Sequence, residues 1–133
     1  MKAAFLWSVV ATLMLSGVAL AADPKDGVKV EIASAGAHAD MAPGTYVCAA
    51  GHFHVKGTVQ NLAAEPVGPV KVAGKVFDAE GKVIGTATAT TRRPVLNPND
   101  KADVDLEFLT VTGPLIKQVK NQELSVVAVA PKP

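Results

Sequence analysis

His52-Phe53-His54-Val55-Lys56-Gly57-Thr58-Val59-Gln60-Asn61 alternates apolar and polar side chains, and so does Ala102-Asp103-Val104-Asp105-Leu106-Glu107-Phe108. Strict alternation is what a β-strand with one buried face requires, because successive side chains point to opposite sides. In the first run Phe53, Val55, Gly57 and Val59 share the inner face; His52, His54, Lys56, Thr58 and Gln60 share the outer one. In the second, Ala102, Val104, Leu106 and Phe108 point inward.

Working outward, Val70 to Phe77 and Lys82 to Thr91 read as two further strands. The second is rich in β-branched residues. Asp78-Ala79-Glu80-Gly81 between them suits a tight turn with Gly81 at positive φ. The connections 61–69 and 92–100 carry Pro66, Gly68, Pro69, Pro94 and Pro98, which interrupt any continuous ladder. Val28, Val30 and Ile32 mark an earlier strand, and residues 33–44 read as a loop. Thr45 to Cys48 begins a strand that Ala49-Ala50-Gly51 interrupts. Pro114 to Val119 suits one helical turn. Leu124 to Ala130 is a last strand whose near-continuous apolar character points to a central position. Six to seven short strands without an amphipathic helix predict an all-β, antiparallel sandwich of the immunoglobulin-like kind. Phe77 falls by parity on the outer face, and a bulge returning it to the core is the favoured reading.

The N-terminus reads as an address. Lys2 precedes the apolar stretch Ala3 to Leu15, and Ala19-Leu20-Ala21 offers small residues for cleavage after Ala21. Residues 1–21 are therefore expected to be a signal peptide and 22–133 a single mature domain, exported to the periplasm or beyond the cell. The apolar run is too short to span a bilayer, so no membrane span is expected after cleavage. The chain has 13 Lys+Arg against 12 Asp+Glu, and loss of Lys2 leaves a formal net charge of zero. Nucleic-acid binding and electrostatic membrane attachment, which need a basic excess, are disfavoured. The single cysteine, Cys48, has no internal disulfide partner. It is a buried thiol, an intermolecular bridge or a ligand.

The series Val59-Gln60-Asn61, Val70 through Thr86 and Leu96-Asn97-Pro98 resembles the FxLYD family, immunoglobulin-like domains of exported prokaryotic proteins. The name-giving motif falls on Gly74-Lys75-Val76-Phe77-Asp78. Asp78 matches, Val76 and Phe77 are conservative changes, and Gly74 stands in place of an aromatic. Pro98-Asn99 stands where the family has Pro-Gly. The resemblance covers about residues 50–110. It implies the fold and a non-enzymatic role, and carries over no ligand or catalytic residue.

One constellation bears on chemistry. His38, Met41, Cys48, His52 and His54 bring every histidine and every sulfur of the mature chain into one short stretch. His52 and His54, two apart on a strand, project from the same face and can share a metal; with Cys48 and Met41 as soft donors, copper or zinc is the expected ion. The competing reading makes both histidines solvated outer-face residues. A blue-copper site lacks its downstream Met. A c-type haem attachment fails as well, since Cys48-Ala49-Ala50-Gly51-His52 has Gly51 where the second Cys belongs. If the strands 52–61 and 101–109 are antiparallel neighbours, the histidines fall near Glu107 and Asp105, and Lys56 nearer Asp103. That arrangement supports either simple charge pairing or a His/carboxylate metal site. The acidic strip lacks the loop of an EF-hand, and no catalytic motif occurs. The expectation ranked first is a non-enzymatic binding module without a cofactor, its partner another protein or a cell-envelope component. The metal-binding protein is ranked second.

Overall fold

The alternation in 52–61 is realised as the central strand of a sheet. The computed structural model describes residues 24–34 and 41–133; the expected signal peptide and His38 lie outside them. Seven strands follow in order: β1 (Val28–Ile32), β2 (Thr45–Val47), β3 (His52–Asn61), β4 (Val70–Phe77), β5 (Val83–Thr90), β6 (Lys101–Thr112) and β7 (Asn121–Val129). On one side β3 pairs with β6 from His52 to Gln60, with a register shift between His52 and Phe53. On the other it pairs with β2 through Phe53–Val55 and with β1 through Gly57–Asn61. The second sheet has the order β5-β4-β7. Every pairing is antiparallel, and the two sheets form the expected immunoglobulin-like β-sandwich.

The inward rows make the core. Phe53, Val55 and Val59 of β3 meet Ala102, Val104, Leu106, Phe108 and Val111 of β6, and Val70, Val72 and Val76 of β4 close it from the other sheet. Phe53 and Phe108 pack with ring centroids 6.0 Å apart. Burial of each such aliphatic or aromatic side chain contributes about 1.5–3 kcal/mol, so the domain stands on its aliphatic core without a disulfide. Close approach explains Gly74: a Cβ there would lie 2.7 Å from Leu106 Cδ2 and 3.0 Å from Leu124 Cδ2. The two leucines already fill that space.

Three expectations are corrected. β7 is not central, since among the described residues it pairs only with β4. Its apolar run has another cause. The register with β4 passes from Val126 to Ala128 and skips Val127, a bulge that changes parity within the strand. Leu124, Val126 and Val129 thereby all pack on the core, and Val127 is left 42% exposed. Phe77 lies beside a register shift, as expected, but the extra residue belongs to β5, where pairing jumps from Gly85 to Val83. Phe77 is consequently half-buried and outside the core cluster. Lys56 pairs with Asp105 rather than Asp103, which lies opposite Thr58.

The turns follow their residues. Gly81 has a φ of 81°, its N–H bonds to the Asp78 carbonyl, and Asp78 Oδ1 accepts from Glu80 and Lys82. The helical turn is a 3-10 helix, Gly113–Gln118. At Pro98-Asn99, Asn99 takes the positive φ of 72°, which Asn tolerates better than most residues. Among the described residues no helix is long and apolar enough to cross a membrane.

The long connections converge on Asn61, which is fully buried. Its Nδ2 donates to the carbonyls of Glu65 at 2.9 Å and Leu96 at 3.0 Å, and its Oδ1 accepts from the Ala63 N–H at 2.9 Å. Its backbone bonds Asp100 and Asn99. Asn61→Ala removes three side-chain bonds and leaves buried partners unsatisfied. Urea unfolding is expected to show a loss of about 2–4 kcal/mol from those bonds and their unpaired partners. A loss under about 0.5 kcal/mol would contradict this role.

Candidate metal centre

The site is built by a hairpin and one neighbouring strand. β2 and β3 are joined through Cys48-Ala49-Ala50-Gly51, closed by a bond from Gly51 N–H to the Cys48 carbonyl at 2.9 Å and from Cys48 N–H to the His52 carbonyl at 3.1 Å. Gly51 has a φ of 86°, a conformation that favours glycine. The hairpin sets Cys48 and His52 across its mouth. One row further on, register pairs Tyr46 with His54 and His54 with Glu107. Asp105 lies two residues from Glu107 on the same outer face of β6.

The outer face therefore gathers a thiol, two imidazoles and two carboxylates. Cys48, His54 and Glu107 each offer a ligand atom within 4.8 Å of the others. Glu107 Oε2 is 4.0 Å from Cys48 Sγ, 3.6 Å from His54 Nε2 and 2.7 Å from His52 Nδ1. His52 Nδ1 is in turn 3.9 Å from Cys48 Sγ. On its other side the His54 ring is tied through Nδ1 to Asp105 Oδ1 at 2.7 Å, and the Tyr46 hydroxyl donates to Asp105 Oδ2. Tyr46 also stacks on His54, with centroids 4.5 Å apart and planes inclined by 21°.

His54 departs from the expectation of a solvated outer-face residue. It is only 8% exposed, and its Nε2 is buried without a hydrogen-bond partner. Among the described side chains it is the buried polar atom left unsatisfied, and such groups cost about 1–3 kcal/mol. That nitrogen faces the Glu107 carboxylate at 3.6 Å, with the Cys48 thiol in the same cluster.

The electrostatics agree with close packing of these groups. Burial opposes the charged form of His54, but Asp105 and nearby Cys48 outweigh it and raise its pKa above the ordinary imidazole value. Tyr46 is pushed up by burial first and then by its bond to Asp105 and that carboxylate's charge, which keeps the phenol a donor. The Cys48 thiol is lowered to about 7. The His52 backbone leads this shift, partial burial opposes it, and His54 and the Ala50 backbone add to it.

Of the residues expected at the site, the structure brings together Cys48, His52 and His54. Met41 goes elsewhere: it packs against the core and lines a groove of about 340 Å³ with Phe53 and Ile116, on the inner side of the sheet. A large apolar thioether beside open core surface is drawn inward. His38 lies outside the described residues. Glu107 joins as a donor, although by alternation alone it belongs to a charged strip. The signal that finds it is the antiparallel pairing of β3 with β6, which sets the acidic row beside the histidines.

No protein-family model and no curated protein matches this chain. The solved structure of IrmA from Escherichia coli is similar at 13% sequence identity, covering 80% of this chain and 84% of that one with a TM-score of 0.49.

Thiolate is the reactive form of cysteine. Alkylation of Cys48 by iodoacetamide, followed from pH 5 to 10, is expected to reach half its limiting rate at a pH of about 7. A midpoint at the ordinary cysteine value of about 8.5 would contradict the hydrogen bonding described.

Proposed function

We propose that this chain is an exported, non-enzymatic β-sandwich that binds one metal ion of the zinc or copper class through Cys48, His54 and Glu107, with His52 in reach of a fourth position. The observation that carries this reading is the buried Nε2 of His54, which makes no hydrogen bond and stands 3.6 Å from the Glu107 carboxylate with the Cys48 thiol close by. Ligands held at 2.0–2.3 Å around a tetrahedral ion stand about 3.3–3.8 Å from one another. The separations of 3.6 and 4.0 Å from Glu107 to His54 and Cys48 need little adjustment, whereas His52, hydrogen-bonded to the same oxygen at 2.7 Å, has to move away to take a fourth position. Thiolate and carboxylate together carry two negative charges, which a divalent ion neutralises. That favours zinc, or copper in its divalent form, over a monovalent ion. The signal-like sequence of residues 1–21 supports export.

A docking module is the reading that the sequence ranks first. It draws on unpaired sheet edges, which β1, β2, β5, β6 and β7 supply among the described residues. Edges of this kind accompany any open sandwich, whereas the donor cluster needs these particular side chains brought together at this register. A nucleophilic cysteine is the other competitor, because Cys48, His54 and Asp105 follow the order thiol, imidazole, carboxylate. Among the described residues, Cys48 lines neither the cleft bordered by Asp105 nor the groove beside Met41.

Purified protein is expected to bind one equivalent of zinc or copper by elemental analysis and calorimetry. An ion present at 100 times its dissociation constant adds about 2.7 kcal/mol of stability, read as a rise in melting temperature. Cys48→Ala, His54→Ala and Glu107→Gln should each weaken binding at least tenfold. The absence of bound metal and of any metal-dependent shift in melting temperature would remove the reading and leave the docking module.

A further inference from the structure

Asp105 touches none of the donors except His54, yet both of its oxygens are engaged. Oδ1 takes Nδ1 of His54 at 2.7 Å and Oδ2 takes the Tyr46 hydroxyl. A carboxylate accepts hydrogen bonds, so this contact places the proton of a neutral imidazole on Nδ1 and leaves the lone pair on Nε2. Nε2 is the buried nitrogen that faces Glu107 at 3.6 Å. Tyr46 fixes the same ring in a second way, by stacking on it at 4.5 Å. Lys56 Nζ in turn lies 5.2 Å from the centre of the Tyr46 ring, where a cation is attracted to the aromatic face. Register accounts for the convergence, since Tyr46 pairs with His54 on one side and Lys56 with Asp105 on the other.

We propose that Tyr46 and Asp105 form a positioning relay that holds His54 in the Nδ1–H tautomer and presents its Nε2 to the metal ion. This rests on the metal-binding reading for its purpose, but the tautomer and the ring orientation are properties of the metal-free protein. Tyr46 and Asp105 are positioning residues: they act through His54 and do not touch the ion. Carboxylate partners of ligating histidines typically change metal affinity about 10–100-fold when removed. Tyr46→Phe keeps the stacked ring and loses only the hydroxyl, so its effect is smaller than that of Asp105→Ala.

The test has two arms. In the first, nitrogen NMR of the metal-free protein at alkaline pH, where the imidazole is neutral, reports the His54 tautomer. The expected result is Nδ1–H in the native protein, with a shift toward a mixture of tautomers in Asp105→Ala and retention in Asp105→Asn, whose amide oxygen still accepts the bond. A native protein with the proton on Nε2, or a tautomer indifferent to Asp105→Ala, overturns the relay. In the second arm, zinc competition titration is expected to show affinity lowered about 10–100-fold in Asp105→Ala, less in Tyr46→Phe, and recovered in part by Asp105→Asn. Unchanged zinc affinity in Asp105→Ala also overturns the relay. If the native protein takes up no metal while the tautomer responds as expected, the relay stands as a property of His54 and the metal-binding reading falls. Circular dichroism and the melting temperature of each variant separate these effects from misfolding.

Discussion

The antiparallel ladder between β3 and β6 is the constraint on which the rest depends. Nine residue pairs join the two strands, from His52 with Thr112 to Gln60 with Lys101. In such a ladder a slip of one residue would turn every side chain to the opposite face. The inward row of Phe53, Val55, Val59, Leu106 and Phe108 therefore excludes every odd-numbered slip, which would expose the core and bury lysines and carboxylates. In the register that the two strands adopt, the outward row has no freedom left. His54 must stand opposite Glu107, and Lys56 opposite Asp105.

Hydrophobic burial on one face thus assembles polar chemistry on the other. The pairing contributes only the row of His54 and Glu107. Sulfur is added by the β2–β3 hairpin, whose four-residue turn returns the chain so that Cys48 faces His52. The same hairpin carries Tyr46 over the His54 ring and converts an outer-face histidine into a buried one. Burial and pairing then act together: the imidazole is desolvated on one nitrogen and tied to a carboxylate on the other. An isolated H-x-H pair on an open sheet would be free to turn its rings.

Much of this was legible in the sequence. Parity gives the inner and outer rows of β3 and β6, the shared face of His52 and His54, the turn at Asp78-Gly81 and the antiparallel sandwich. It also brings the histidines close to Glu107 and Asp105. Parity failed where the ladder itself is irregular. The bulge at Val127 makes an edge strand look like a buried central one, and the extra residue in β5 leaves Phe77 half-buried rather than in the core. Period-two reasoning assumes one residue per rung, and a bulge breaks that assumption. Met41 shows a different failure. Nearness in sequence to Cys48 says nothing about which side of the sheet a loop residue will pack against, and the groove beside Phe53 claims it.

By itself the sequence determined the class of fold, the rows of the two long strands and the residue types able to bind a metal. These follow from local alternation and composition, which burial of apolar surface enforces whatever the details of packing. Only the tertiary structure decided that Cys48 meets His54 and Glu107, that Met41 does not, and that His54 is buried with one nitrogen hydrogen-bonded and the other facing Glu107 without a hydrogen bond. Those facts depend on the exact register across three strands and on the geometry of one hairpin. Contacts between residues more than fifty positions apart, such as His54 with Asp105, arise only when the chain closes on itself.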